Sequence, residues 1–353
     1  MESIILMANK VTMEELKNYA SFINDAKAAD FIALAEAAAE GFDIGTLIPT
    51  DHGNIGTSLV EALNIASANN IIIIDAQNKL SSLQIKALMQ AAAQVEDQNF
   101  AYISIEGELD NEEVAALDAE SLLNLTIQRK ALPFAALVCK KAFLQSCIND
   151  QVENIAELAL RAATKAVSAG AEIIPITQFD ANQAALCEMS NASLARSLSY
   201  MVNSFTIEEL FPKHDWKNHT QESAAASYHT LAAYFIRFED YLNAAECLSI
   251  SDQFEESPRS FALRALIAFN KGETLGAVAN LVSSLQQYEE RKKSESHYVK
   301  FSPSNVEIIN SSLVSGLDAL NNRDNDKALD HFAKAVFNFD GFYAQHGLER
   351  MIH

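Results

Sequence analysis

HGNIGTSLVEALNIASANNIIIIDAQNKLSS, residues 52–82, is the stretch whose reading decides the fold. Leu59, Leu63 and Ala66 recur at helical spacing within 57–70. Ile71–Ile74 then follow without a polar break and end on Asp75. Four β-branched residues in a row suit a strand covered on both faces rather than an alternating surface strand. Outward from this stretch the alternation continues. SSLQIKALMQAAAQV (81–95) reads as a helix and FAYISIEG (100–107) as a strand. Upstream, SIILMA (3–8), FIALA (31–35) and TLIPT (46–50) are short apolar runs. The segment 13–28 places Leu16, Ala20, Phe22 and Ile23 near one helical face. Short strands alternating with helices predict an α/β domain with a mostly parallel sheet over residues 1–178.

A chain of 353 residues, 49% of them hydrophobic, is expected to hold two or three ordered domains. The net charge of -21 opposes a nucleic-acid or anionic-membrane partner, since both are polyanions. MESIILMANK lacks the basic start and long apolar core of a signal peptide. No apolar run reaches the roughly 20 residues of a membrane span. Cys139, Cys147, Cys187 and Cys247 are scattered, which fits reduced thiols in a cytoplasmic protein rather than a zinc site.

Beyond Gln178 the pattern turns wholly helical. Residues 179–221 read as a helical connector that becomes polar at PKHDWKNHTQES (212–223). A repeat follows over 222–353: Ala232, Ala244 and Leu248 return as Ala265, Ala277 and Leu281, then as Gly316, Ala328 and Phe332. Within each set the offsets are 12 and 4; the sets lie 33 and then 51 residues apart. Small residues let two helices approach closely, and the bulky residue one turn on fills the groove beside them. These offsets resemble the tetratricopeptide repeat. The third set, GLDALNNRDNDKALDHFAKAV (316–336), is the closest in kind. The resemblance implies stacked helical hairpins with a concave face for a protein partner, lined by the first helix of each pair. Tyr228, Tyr234, Arg264 and Asn310 are the candidates there. Aromatic and Arg side chains often dominate binding energy.

The stretch 52–82 also resembles the core of family-two glycosyltransferases of GT-A fold, where a Gly precedes a helix and an apolar strand ends in an acidic signature. Gly56, Asn64 and Ile71–Ile74 match. SIILMANKVTMEELKNYASF resembles that family's first strand, Asn-containing loop and first helix. ALPFAALVCKKAFLQSC (131–147) resembles its acceptor-side strand, and VENIAELALRAATKAVSAGAEIIPI (152–176) the segment beginning Glu-Asp. The resemblance implies a nucleotide-sugar site with Asn9, Glu36, Gly56, Asp75 and Gln77 on the donor, and Glu153 as the base for the acceptor hydroxyl. The departures are specific. The acidic signature reads Asp75-Ala76-Gln77-Asn78, so Asp75 is the only remnant of a metal site. A divalent cation, Mn²⁺ or Mg²⁺, is implied only if the domain is active. The Glu-Asp pair reads Glu153-Asn154, and an amide cannot take a proton.

Other signals are weaker. His52 precedes a short Gly turn. Arg129, Lys130, Lys140 and Lys141 are basic residues near strands, and His214 and His219 flank Trp216 in a polar loop expected to be exposed. YEERKKSESHYVKFSPS (288–304) is a basic interruption. No HExxH, GxSxG or Walker motif occurs. The expected function is therefore a glycosyltransferase-like protein, non-catalytic or much reduced, acting in recognition or assembly through its repeats. Its rival is an active transferase whose repeats present an acceptor, such as a bacterial surface or flagellar protein. A purely structural role is the third reading.

Overall fold

The computed structural model describes residues 2–8, 11–35, 45–50, 54–104, 110–149, 151–176, 189–254, 257–291, 303–324, 327, 328, 330, 331, 334 and 335. They divide into two compact units, Met1–Thr206 and Ile207–His353.

The first unit is an α/β domain. In chain order its strands are β1 (Glu2–Met7), β2 (Asp30–Ala35), β3 (Thr46–Pro49), β4 (Asn70–Asp75), β5 (Phe100–Ser104), β6 (Phe134–Lys140) and β7 (Ile173–Pro175). Its helices are α1 (Met13–Ala26), α2 (Gly56–Ile65), α3 (Ser82–Ala91), α4 (Asn111–Ala115), α5 (Ala119–Ile127), α6 (Lys141–Cys147), α7 (Ile155–Ser168) and α8 (Asn191–Ser204). The sheet order is β3-β2-β1-β4-β6-β5-β7. The pairs β1–β2, β1–β4, β2–β3 and β5–β7 are parallel, whereas β6 runs antiparallel to both β4 and β5.

The Ile71–Ile74 run lies at the centre of this sheet, every residue fully buried. Ile72 and Ile74 pack with Ile4 and Leu6 of β1 and with Leu16, Tyr19, Ala20 and Ile23 of α1 and Ile85 and Leu88 of α3. Ile71 and Ile73 point to the opposite face, as alternation in a strand requires. That face is covered by α2, α6 and α7. Each fully buried Ile contributes about 1.5–3 kcal/mol relative to exposure, which confines the run to the sheet centre. The flanking helices begin at local signals. Thr12 and Glu15 form a capping box on α1, and Ser81 and Gln84 form one on α3.

Helix α8 falls in the expected connector, yet it packs on α5 and α7. Its buried Leu194, Leu198 and Met201 make it part of the first unit.

The second unit contains α9 (Ile207–Leu210), α10 (Thr220–Arg237), α11 (Tyr241–Phe254), α12 (Pro258–Asn270), α13 (Thr274–Arg291) and α14 (Pro303–Asn321). The described residues of this unit contain no strand. The α10–α11 and α12–α13 pairs pack as helical hairpins. Ala232, Ala244, Leu248, Ala265, Ala277, Leu281 and Ala328 are all fully buried. Phe332 lies outside the described residues.

Candidate functional site

The chain runs outward from β1 to β2 and β3, then returns to β4 on the other side of β1. The switch point is therefore the crevice between β1 and β4 at their carboxyl ends. Open α/β sheets place ligands at such a point. In register, Met7 pairs with Asp75. Asp75 thus stands at the crevice, and Asn9 and Glu36, which follow the ends of β1 and β2, lie outside the described residues.

Asp75 begins a tight turn, Ala76–Asn78, and caps it by accepting the Gln77 amide at 3.1 Å. Burial pushes the Asp75 carboxyl above its ordinary range, and the Gln77 amide only partly opposes this. The Gln77 side chain is exposed. Asn78 is 1% exposed; its amide reaches Ala135 O at 3.5 Å, while its Oδ1 finds no hydrogen-bond partner.

Gly56 and Glu153 come together at the same end of the sheet. Val152 O accepts both the Ile55 and Gly56 amides, at 2.8 and 2.9 Å. Asn54 Oδ1 also accepts the Gly56 amide, at 2.9 Å. The Ile55 and Gly56 amides at the start of α2 are thus used within the fold. His52 lies outside the described residues.

Glu153 belongs to a clasp between α7 and α8. Its carboxylate accepts the Ser190 hydroxyl and, at 3.4 Å, Arg196 Nη2. Asn154 is the N-cap of α7 and accepts the Glu157 amide at 3.0 Å. Glu157 is fully buried and meets Arg161 at 2.6 Å, Arg196 at 2.9 Å and the Ser193 hydroxyl at 2.8 Å. Burial pushes Glu157 up, but Arg196, the Glu153 amide and Arg161 outweigh it and hold the carboxyl low.

The basic pair sits elsewhere. Lys140 Nζ donates to Asn70 Oδ1 at 2.8 Å and Lys141 Nζ to Ala66 O at 2.9 Å. Asn70 opens β4, so the five residue steps to Asp75 put these contacts about 17 Å from it. Lys140 and Lys141 are therefore anchored at the opposite end of β4 from Asp75. Arg129 donates to Asn191 Oδ1 at 2.6 Å. An open cleft of about 900 Å³, lined by Glu96, Asp97, Asn99, Lys140 and Glu172 among others, also lies away from Asp75, at the amino ends of β5 and β7.

In the second unit Tyr228 stacks on Phe254 at 6.2 Å and 9°. Arg264 pairs with Asp252 and lies over the Phe261 ring at 5.6 Å. Tyr228 is engaged within the α10–α11 hairpin, and Arg264 reaches across from α12 to α11 of the preceding hairpin. Tyr234 is half-buried on α10; the Asn310 side chain lies outside the described residues. Trp216 departs from the exposed-loop expectation. It is half-buried, donates Nε1–H to Phe211 O at 2.8 Å, and stacks on His214, which stacks on Phe211.

Two features escaped the sequence reading. His229 is buried where α10, α11 and α12 meet, with Nε2 at 2.7 Å from Ser260 Oγ and 2.9 Å from Ser251 Oγ. Ser260 spends its proton on Asp252 and Ser251 on Ala225 O. Ser257 Oγ lies 3.4 Å from the same nitrogen, so three hydroxyls surround His229 Nε2. Leu242 and Leu275, 80% and 74% exposed, occupy equivalent places at the starts of α11 and α13. Their signal was present as a Leu two residues before Ala244 and before Ala277.

The fold defines an α/β domain with a mostly parallel sheet, followed by a helical region; none of the described helices is long and apolar enough to cross a membrane. No family model matches the chain, and no curated protein matches it. Among solved structures it is similar to the bifunctional IspDF from Campylobacter jejuni, at 12% identity, over 68% of this chain and 79% of that one. The TM-score of 0.34 is too low for that likeness to bear on function.

Proposed function

We propose that the first unit is a glycosyltransferase-like domain of GT-A type whose transfer chemistry is impaired, and that the protein serves recognition or assembly through tetratricopeptide-like repeats in its second unit. The observation that carries the reading is the Asp75 turn: a switch-point strand end bearing one carboxylate followed by amides. A hard divalent cation needs several oxygen ligands and gains affinity from their charge. Asp75 is half-buried, already accepts the Gln77 amide and is biased toward its neutral form. Asn78 is shut away beneath the turn. This donor set does not fit Mn²⁺ or Mg²⁺, so no metal-assisted step is derived.

The base position supports the same reading. Asn154 caps a helix, and Glu153 is held by Ser190 and Arg196. A general base must reach the proton it takes, and a carboxylate held by a cation is a weaker acceptor. For the second unit, support comes from the buried small residues at the repeat offsets and from the two hairpins they join. A half-buried carboxylate, a buried Asn78 and a helix-capping Asn154 at the first site favour partner binding as the role of the chain.

The test is a panel of nucleotide-sugars incubated with the full chain. The proposal expects neither hydrolysis nor transfer above background. Turnover at an ordinary enzyme rate, about 1 per second or faster, overturns it and restores the active-transferase reading. On the recognition side, a specific partner captured from the source cell should be lost on Tyr234→Ala with the circular dichroism spectrum unchanged.

A further inference from the structure

Helix α1 grips the Asp75 turn at two points. Tyr19 donates its hydroxyl proton to Ala76 O at 3.3 Å and accepts the Leu80 amide at 2.9 Å. A single oxygen thus ties both ends of the turn. One helical turn earlier, Glu15 meets Lys79 at 3.3 Å. Lys79 itself is left-handed, at φ 48°.

The two ties differ in weight. Lys79 and Glu15 side chains are 73% and 37% exposed, and such pairs contribute little. Tyr19 is 5% exposed and packed among Ile72, Ile74 and Leu80. Its ring is fixed by the core, so its oxygen is a fixed point. Without that oxygen a buried amide and a carbonyl lose their partner, and leaving such groups unsatisfied costs more than the bond is worth on average. Burial, reinforced by the Asp75 and Glu15 charges, pushes the Tyr19 hydroxyl up to about 12, so it is a proton donor throughout the physiological range.

We infer that Tyr19 is a positioning residue of the switch-point crevice. It sets the turn conformation that presents Asp75 and Gln77 beside the end of β1, and it couples that turn to the helix that follows β1. The ligand half of this inference rests on the reading of the crevice given above. The half concerning turn geometry stands on the contacts alone.

Tyr19→Phe in the full chain removes one oxygen and keeps the ring. Amide exchange, resolved by residue, reads the turn; calorimetry with uridine diphosphate reads the crevice. The variant is expected to exchange the Gln77–Leu80 amides about tenfold faster, with β1 and β4 unchanged. It is also expected to bind uridine diphosphate about tenfold more weakly. Lys79→Met is expected to change neither by more than about twofold. Unchanged exchange at the turn in Tyr19→Phe overturns the inference. So does an equal rise across β1 and β4, which would mark a loosened fold, or an equal effect of Lys79→Met. Faster exchange with unaltered uridine diphosphate binding also overturns it, because the turn would not serve the ligand. A wild-type chain that fails to bind uridine diphosphate removes the ligand reading only, and the exchange comparison then decides the role of Tyr19.

Discussion

The two ends of β4 stand in contrasting polar environments. At the amino end every donor shown meets an acceptor. Asp30 Oδ2 takes the Ser3 hydroxyl at 2.5 Å and both the amide and hydroxyl of Ser67 at 2.7 Å, while Lys140 and Lys141 are held by Asn70 and Ala66. Burial pushes Asp30 up, but Ser3 and Ser67 overcome it and hold the carboxyl low. At the carboxyl end Asp75 is held high, with one amide donor, and Asn78 keeps a buried oxygen without a partner. The fold satisfies its polar groups at one end of β4 and leaves a buried amide oxygen without a partner at the other. The α7–α8 clasp, also at the carboxyl end, pairs its buried charges, but Arg161 Nε in it finds no hydrogen-bond partner.

Breaking a buried ion-pair cluster should cost most. Glu157→Ala leaves buried Arg161 without its closest carboxylate. We expect a loss of about 3–5 kcal/mol in urea unfolding; a loss below about 1 kcal/mol would place the clasp with ordinary surface pairs. Asp30→Ala should cost less, about 1–3 kcal/mol. Its folded pKa is depressed, so its contribution is complete above the unfolded value of about 3.9 and fades as pH falls through the folded one. The wild-type advantage should therefore shrink below about pH 4, and a pH-independent difference would contradict the hydrogen-bond account. Asp75→Asn carries the opposite sign. A raised folded pKa means that the charged form costs stability above that pKa and that the cost is relieved toward the unfolded value. Asn also keeps an acceptor for the Gln77 amide. At pH 7 the variant should be as stable as the wild type or more so, by up to about 1 kcal/mol. A clear loss would mean that Asp75 has a stabilising partner.

Much of the first unit was legible because its signals are local. The Ile71–Ile74 run, the alternating helices and the caps each declare themselves within a few residues. The reversal of β6 was not legible, since FAALVCK is an apolar run in either direction. Helix α8 passed for a linker because Ser193 and Ser197 dilute its apolar face, although both are buried. Asn154 was read as a lost base, yet an Asn three residues before a Glu at the start of an apolar helix is also a capping signal. In the second unit, the small residues of the repeat marked buried positions correctly, but they carry no information about which side chains stay exposed. The Tyr19 contacts join residues 57 and 61 positions apart, a separation that no local pattern encodes.

The account turns on the poverty of the Asp75 turn as a cation site. Titration of the full chain with Mn²⁺, followed by electron paramagnetic resonance, reads this directly. The account predicts no saturable binding dependent on Asp75 up to about 1 mM, the range of weak extracellular calcium modules. Saturable Mn²⁺ binding that disappears in Asp75→Asn would contradict it.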